Sequence, residues 1–292
     1  MVDSLQMEGA SGRLDVQIGG PADGQTVVFH TGTPSAGRLF APMIDAGAER
    51  GLRHVVYSRP GYATSDRRAG RSVADCVSDV TAITDALGVQ RFFTVGWSGG
   101  GPHALACAAL LPERVIAAAT IAGVAPRDAE GLDWLDGMGQ ENLDEFAAAQ
   151  AGEEQLLEFI EPFRAQLESV SSAQIYEALG DLLSEVDLSA LSGEFAEYFA
   201  EATRTGLQRG VYGWYDDDLA MIRDWGFELA GVSTPVTIWQ GAQDRMVPFA
   251  HGEWLAAHVP GASARLLPDH GHLSLVIDRY GALLDDLLAG AG

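Results

Sequence analysis

Two kinds of hydrophobic spacing divide the chain into three stretches. In the first, short apolar runs alternate with longer segments of helical periodicity. Leu14-Asp15-Val16-Gln17-Ile18 alternates as a half-exposed strand does, and residues 19–24, rich in glycine, turn the chain into the next strand, which predicts an antiparallel opening. Residues 26–29, 54–57, 92–95 and 115–121 are continuous apolar runs, the pattern of strands buried on both faces. Between them lie helical spacings over 37–50, 73–87 and 103–111; in the second of these Val77, Val80, Ile83 and Leu87 share one face. Strand alternating with helix predicts an α/β protein with a parallel sheet covered on both sides.

The alternation stops near Gly123, and residues 126–225 carry helical patterns only. Leu156, Ile160, Phe163, Leu167 and Val170 form one apolar stripe with glutamates interleaved. Ser171-Ser172 can start a second helix bearing Ile175, Leu179, Leu182 and Val186, and Ser192 a third bearing Phe195 and Phe199. The β pattern then resumes at 235–239 and 264–267, with helices expected at 249–258 and 273–288. The simplest organisation is a core made of residues 1–125 and 226–292, interrupted by a helical cap over 126–225.

Composition sharpens this picture in three places. With 292 residues and 47 % apolar content the chain can bury a sizeable core. A net charge of -23, with 18 cationic residues that nowhere cluster, argues against nucleic acid as a partner. All of those cations are arginine, and without lysine neither Schiff-base chemistry nor a lysine-anchored pyridoxal cofactor is available. The acidity is concentrated in the expected cap, whose glutamate surface reads as a solvated outer layer. Cys76 and Cys107 lack metal-ligand spacing and read as small core residues, so neither a metal nor another cofactor is expected. No signal-peptide pattern opens the chain and no apolar run is long enough to span a bilayer, from which a soluble, cytoplasmic protein without membrane partners is expected.

The candidate chemistry starts at Gly96-Trp97-Ser98-Gly99-Gly100, which follows a buried-strand run and precedes a helix. In that context glycines permit a steep bend that lifts a serine hydroxyl to the top of the sheet, close to the unpaired N–H groups of a helix N-terminus. A serine needs a base, and a base needs an orienting acid. Asp244 follows the 235–239 run and His272 follows the 264–267 run, so all three fall on loops at one sheet edge. His270 and Asp269 compete for the base and acid roles, but a glycine directly before a helix-opening histidine favours His272. Gly99 and Thr33 are the candidate oxyanion N–H donors, with Gly32 in reserve. His30 is read as a hydrogen-bonded brace rather than a proton carrier. Trp97, Trp134, Phe146, Trp214 and Tyr215 are candidates for lining a pocket between sheet and cap, suited to a small, partly apolar substrate.

These motifs, together with Arg59-Pro60-Gly61-Tyr62, Ser65 and the loop from Gly241 to Pro248, resemble the α/β-hydrolase superfamily over nearly the whole length, closest to an esterase and proline-iminopeptidase-like branch with a helical cap. The resemblance implies a mostly parallel eight-stranded sheet and a serine hydrolase acting on an ester or lactone. The chain has Thr31-Gly32-Thr33-Pro34 where many members of that superfamily have a His-Gly pair, and Trp97 precedes the serine where iminopeptidases usually have a tryptophan after it. The same triad would also serve an amidase, a cofactor-free perhydrolase, an acyltransferase or a cyclase. A ligand receptor retaining the triad is the reading from another class.

Overall fold

The computed structural model describes residues 2–10 and 12–291, which build one sheet of eight strands. In chain order these are β1 (Val2–Gly9), β2 (Gly12–Gly19), β3 (Gln25–His30), β4 (Leu52–Tyr57), β5 (Phe92–Trp97), β6 (Val115–Ile121), β7 (Val236–Gly241) and β8 (Ser263–Leu267). They lie in the order β1-β2-β4-β3-β5-β6-β7-β8, antiparallel from β1 to β2 to β4 and parallel from there on.

The continuous apolar runs have the cause that their pattern implies. Val27 and Phe29 enter the core on one face of β3 while Val28 between them enters the core on the other, and Val55 and Val56 of β4 divide likewise. On the first face lie α1 (Ala41–Ala48) and the closing helix α11 (His272–Ala289); on the second lie α2 (Cys76–Ala86), α3 (Gly101–Leu110) and α10 (Phe249–His258). Cys76 and Cys107 are free thiols in the second core.

Between β6 and β7 come only helices: α4 (Gln140–Ala151), α5 (Glu153–Leu167), α6 (Ile175–Leu179), α7 (Glu185–Ala190), α8 (Gly193–Leu207) and α9 (Tyr212–Ile222), with short 3₁₀ turns. Leu156, Ile160, Leu167 and Val170 of the apolar stripe are buried against α8 and α9 and join the first core. No helix among the described residues is long and apolar enough to cross a membrane.

The opening is antiparallel as expected, but the turn after β2 leads to a strand that is not its neighbour: β2 pairs antiparallel with β4, with Val16 opposite Tyr57, and with β1. β1 itself escapes the pattern because it is an edge strand with mostly exposed side chains, so no alternation marks it. The single helix expected to bear Ile175 through Val186 is broken in two. Gly180 takes a positive φ of 49°, and Ser184 starts α7 afresh by accepting the Asp187 N–H.

Candidate active site

The elbow is set by β5 ending directly against α3. Ser98 has a φ of 56°, in the left-handed region that a residue with a side chain occupies only under constraint. The constraint is packing on both sides: a Cβ on Gly96 would overlap the Gly100 carbonyl, and one on Gly100 would overlap the His30 carbonyl. The loop after β3 crosses the elbow so closely that Gly32 Cα faces the Ser98 side chain and Thr33 Oγ1 stands over Gly99. His103 in α3 bonds the Gly99 carbonyl at 2.9 Å. Burial, reinforced by Arg59, pushes the His103 ring down to about 3. His30, bonded to Thr94 Oγ1, is likewise held far below its usual range by burial, with His103 and Arg59 adding to the effect, so both braces are neutral near pH 7.

Asp244 and His272 meet beyond the ends of β7 and β8. Asp244 Oδ1 accepts the N–H groups of Met246 and Val247 at 2.9 and 2.8 Å, and Oδ2 accepts from Gln240 Nε2 at 3.1 Å and from His272 Nδ1 at 2.8 Å. The imidazole is almost wholly buried and tilted against the Trp97 ring at 5.7 Å between centroids. Burial disfavours its proton, but the charge and hydrogen bond of Asp244, with the charge of Asp187, outweigh that and raise the His272 pKa. The competitors lie elsewhere: His270 accepts from Arg279 at 3.1 Å, and Asp269 is exposed.

Ser98, Gly99, Gly32, Thr33 and His272 line one cavity beneath the inserted helices. Of the five aromatic candidates it includes Trp97, Phe146 and Trp214, with Phe159, Phe163, Phe199, Met221 and Met246 beside them. Trp134 and Tyr215 are corrections. Trp134 sits behind Phe146, its N–H spent on the Ala125 carbonyl at 2.7 Å, and Tyr215 turns away to Glu153 and Arg67.

Sequence reasoning missed the carboxylates under these helices, having read the acidic segment as a solvated layer. Asp216, Asp217 and Asp218 of α9 are consecutive, and all are buried. Successive residues on a helix point about 100° apart, so each finds a different partner. Asp216 takes both Arg67 donors at 2.8 and 3.0 Å. Asp217 sits between Arg59 and Arg71 at 2.5 and 2.6 Å, and also accepts from Tyr62 at 2.8 Å and Thr33 Oγ1 at 2.7 Å. Arg59 in turn donates to the Thr31 and Gly32 carbonyls, so this cluster ties α9 to the loop over the elbow. Asp218 has no such partner among the described residues. It lines the cavity beside Glu145. Burial raises both groups; the charge and hydrogen bonding of Glu145 raise Asp218 further, whereas hydrogen bonds with Asp218 and Trp214 pull Glu145 back. The one legible signal was the Asp216-Asp217-Asp218 run itself, set between Trp214-Tyr215 and Leu219-Ala220-Met221 with no polar gap.

The sheet and the strand-turn-helix at Ser98 define an α/β hydrolase. The family model described as alpha/beta hydrolase fold matches residues 25–278, and the chain belongs to that family. Among curated relatives it is 30 % identical over 260 residues to a pimeloyl-[acyl-carrier protein] methyl ester esterase of Xanthomonas campestris pv. campestris, covering 89 % of this chain and 90 % of that protein. It is 29 % identical over 239 residues to the dihydrolipoyllysine-residue acetyltransferase component of an acetoin cleaving system from Cupriavidus necator, covering 81 % of this chain but only 56 % of that longer protein. Among solved structures, a hydrolase from Pseudomonas aeruginosa shares the fold with a TM-score of 0.70 at 20 % identity, over 99 % of this chain and 98 % of the other.

Proposed function

We propose that the protein is a serine hydrolase that cleaves an ester-like bond, carboxylic ester or lactone, of a small and partly apolar substrate. The observation that carries this reading is the Asp244–His272 pair, closed at 2.8 Å, facing the same cavity as a serine held in a left-handed elbow. Ser98 Oγ attacks the carbonyl carbon as His272 Nε2 takes its proton, and the N–H groups of Gly99 and Thr33 hold the oxyanion. His272 passes that proton to the leaving alcohol, and water hydrolyses the acyl-enzyme by the same route in reverse. Asp244 keeps the Nδ1–H tautomer and stabilises the imidazolium. The ester cleavage named for the Xanthomonas relative supports the same bond type, and the apolar wall supports an acyl chain or ring.

The test is covalent. A fluorophosphonate is expected to label Ser98, located by peptide mass, with no label in Ser98→Ala; labelling elsewhere, or none at all in an active protein, overturns the reading.

One observation favours a second reading, in which the acyl group bears an amine. The buried Asp218 and the neighbouring Glu145 form a carboxyl site in the cavity wall that no ion pair among the described residues occupies, and an ammonium group fits it. On this reading an aminoacyl p-nitrophenyl ester is preferred over its desamino analogue by about tenfold or more, a charged hydrogen bond contributing about 1.5–3 kcal/mol, and Asp218→Asn removes the preference. Equal kcat/KM for the two esters eliminates it.

A further inference from the structure

α11 begins at His272 itself, so its first unpaired N–H groups are those of His272, Leu273 and Ser274. Gly271 precedes them and has no side chain to serve as a cap. Their acceptor comes instead from 85 residues upstream, in the inserted helices. The carboxylate of Asp187, in α7 and fully buried, takes the His272 N–H on Oδ2 at 2.9 Å and the Leu273 and Ser274 N–H groups on Oδ1 at 2.8 and 2.9 Å. Ser274 Oγ adds a fourth bond at 3.0 Å while itself accepting the Gly271 N–H at 2.8 Å, and Ser184 Oγ donates to Oδ2 at 3.0 Å. The approach is close enough that a Cβ on Gly271 would overlap the carboxylate.

Two effects on His272 follow. Its backbone is anchored from above while Asp244 holds its ring from the side, so both ends of the residue are fixed. The second effect is electrostatic. An exposed helix N-terminus carries partial positive charge, which opposes an imidazolium in its first turn; a carboxylate bonded to those same N–H groups cancels and reverses that field.

We infer that Asp187 is a positioning residue for His272: a carboxylate through which the inserted helices hold the N-terminus of the histidine's helix and favour the imidazolium formed during the reaction. The inference rests on His272 being the base of the proposed triad. Its raised proton affinity agrees, Asp244 contributing more and Asp187 less against the opposing effect of burial. The other charged groups packed around α11 belong to separate sets: His270 with Arg279 and Asp278, Arg50 with Asp285, and Arg265 with Asp286. The neutral His54 bonds Tyr280, and Asp218 and Glu145 lie on the wall of the shared cavity.

The experiment is a pH profile of kcat/KM for a p-nitrophenyl ester in the parent and in Asp187→Asn, which keeps the shape and removes the charge. The Asn protein is expected to lose about tenfold or more in kcat at pH 7, a small misplacement of a catalytic group being enough for that, with KM little changed. Its acid limb is expected to move to lower pH, because the imidazole loses its proton more readily. A purely structural role would lower Tm and leave the limb in place. A folded Asn protein with parental kcat or an unshifted limb overturns the inference. If that protein does not fold, Asp187→Ser, a short neutral cap, is read the same way. Should both fail, the His272 imidazole is titrated by NMR in the parent, where a midpoint at or below the ordinary 6.5 is the overturning result. Fluorophosphonate labelling of the parent separates the two layers. No label at Ser98 sinks the triad, whereas a labelled parent with an unshifted Asn limb sinks Asp187 alone.

Discussion

Asp244→Asn is expected to lower kcat/KM for a p-nitrophenyl ester about ten-thousandfold while leaving the fold intact, the scale associated with a histidine locked in the wrong tautomer. The surroundings dictate which way the new amide faces. Oδ1 receives two backbone N–H groups, from Met246 and Val247, so the asparagine oxygen must stay there. Its NH2 then occupies the Oδ2 position and points a donor at His272 Nδ1. The imidazole can accept that bond only by moving its proton to Nε2, where it can no longer take one from Ser98. Gln240 cannot relieve the conflict cheaply, because its own NH2 is also held by the Val247 carbonyl at 2.7 Å. The measurements are kcat/KM and Tm side by side. Activity within tenfold of the parent would mean that Asp244 is not the orienting acid.

The second large effect is on stability. Asp217→Ala is expected to cost about 3–5 kcal/mol, because it strands the charges of Arg59 and Arg71, which are 2 % and 6 % exposed. For a chain of this size that corresponds to a fall in Tm of about 10 °C. Burial alone would raise the Asp217 pKa, but Arg59 and Arg71 overcome it and hold the carboxyl far below the usual range. A depressed folded-state pKa means that this stabilisation is complete above the unfolded value of 3.8 and is lost only as pH falls through the lower, folded one. The difference in stability between parent and variant should therefore be constant from pH 5 to 7 and shrink in acid. Thermal melts across that range check it; a difference that grows on acidification contradicts the assignment.

The sheet was legible because its signal is local. Strands buried on both faces must be apolar at nearly every position, so Val27-Val28-Phe29 or Val115 through Ala119 announce themselves without any knowledge of their neighbours. The elbow was legible for a related reason, since only glycine fits at positions 96 and 100. Pairing across the sheet was not. Nothing in residues 14–18 says that their partner is β4 rather than β3, because antiparallel neighbours are chosen by contacts forty residues away. The acidic side chains under the inserted helices were hidden for the opposite reason to the strands. A buried aspartate is tolerated only when its partner is supplied by tertiary structure, so Asp187 and Asp217 look in sequence like any solvated acid. Trp134 and Tyr215 show the same limit: an aromatic residue reports that it is buried, not which cavity it faces.

The inserted helices leave β6 after Ile121 and return at Val236 to the strand immediately beside it, with Ile121 paired to Trp239. A detour that starts and finishes at adjacent strands strains nothing in the sheet, and doubling its length raises the closure entropy by only about 0.6 kcal/mol. The stretch is thus free to be exchanged or regrown between descendants while the elbow and its two partner loops stay put. What any replacement inherits is two obligations: an anion delivered to the start of the final helix, and a carboxylate between the guanidinium groups of Arg59 and Arg71.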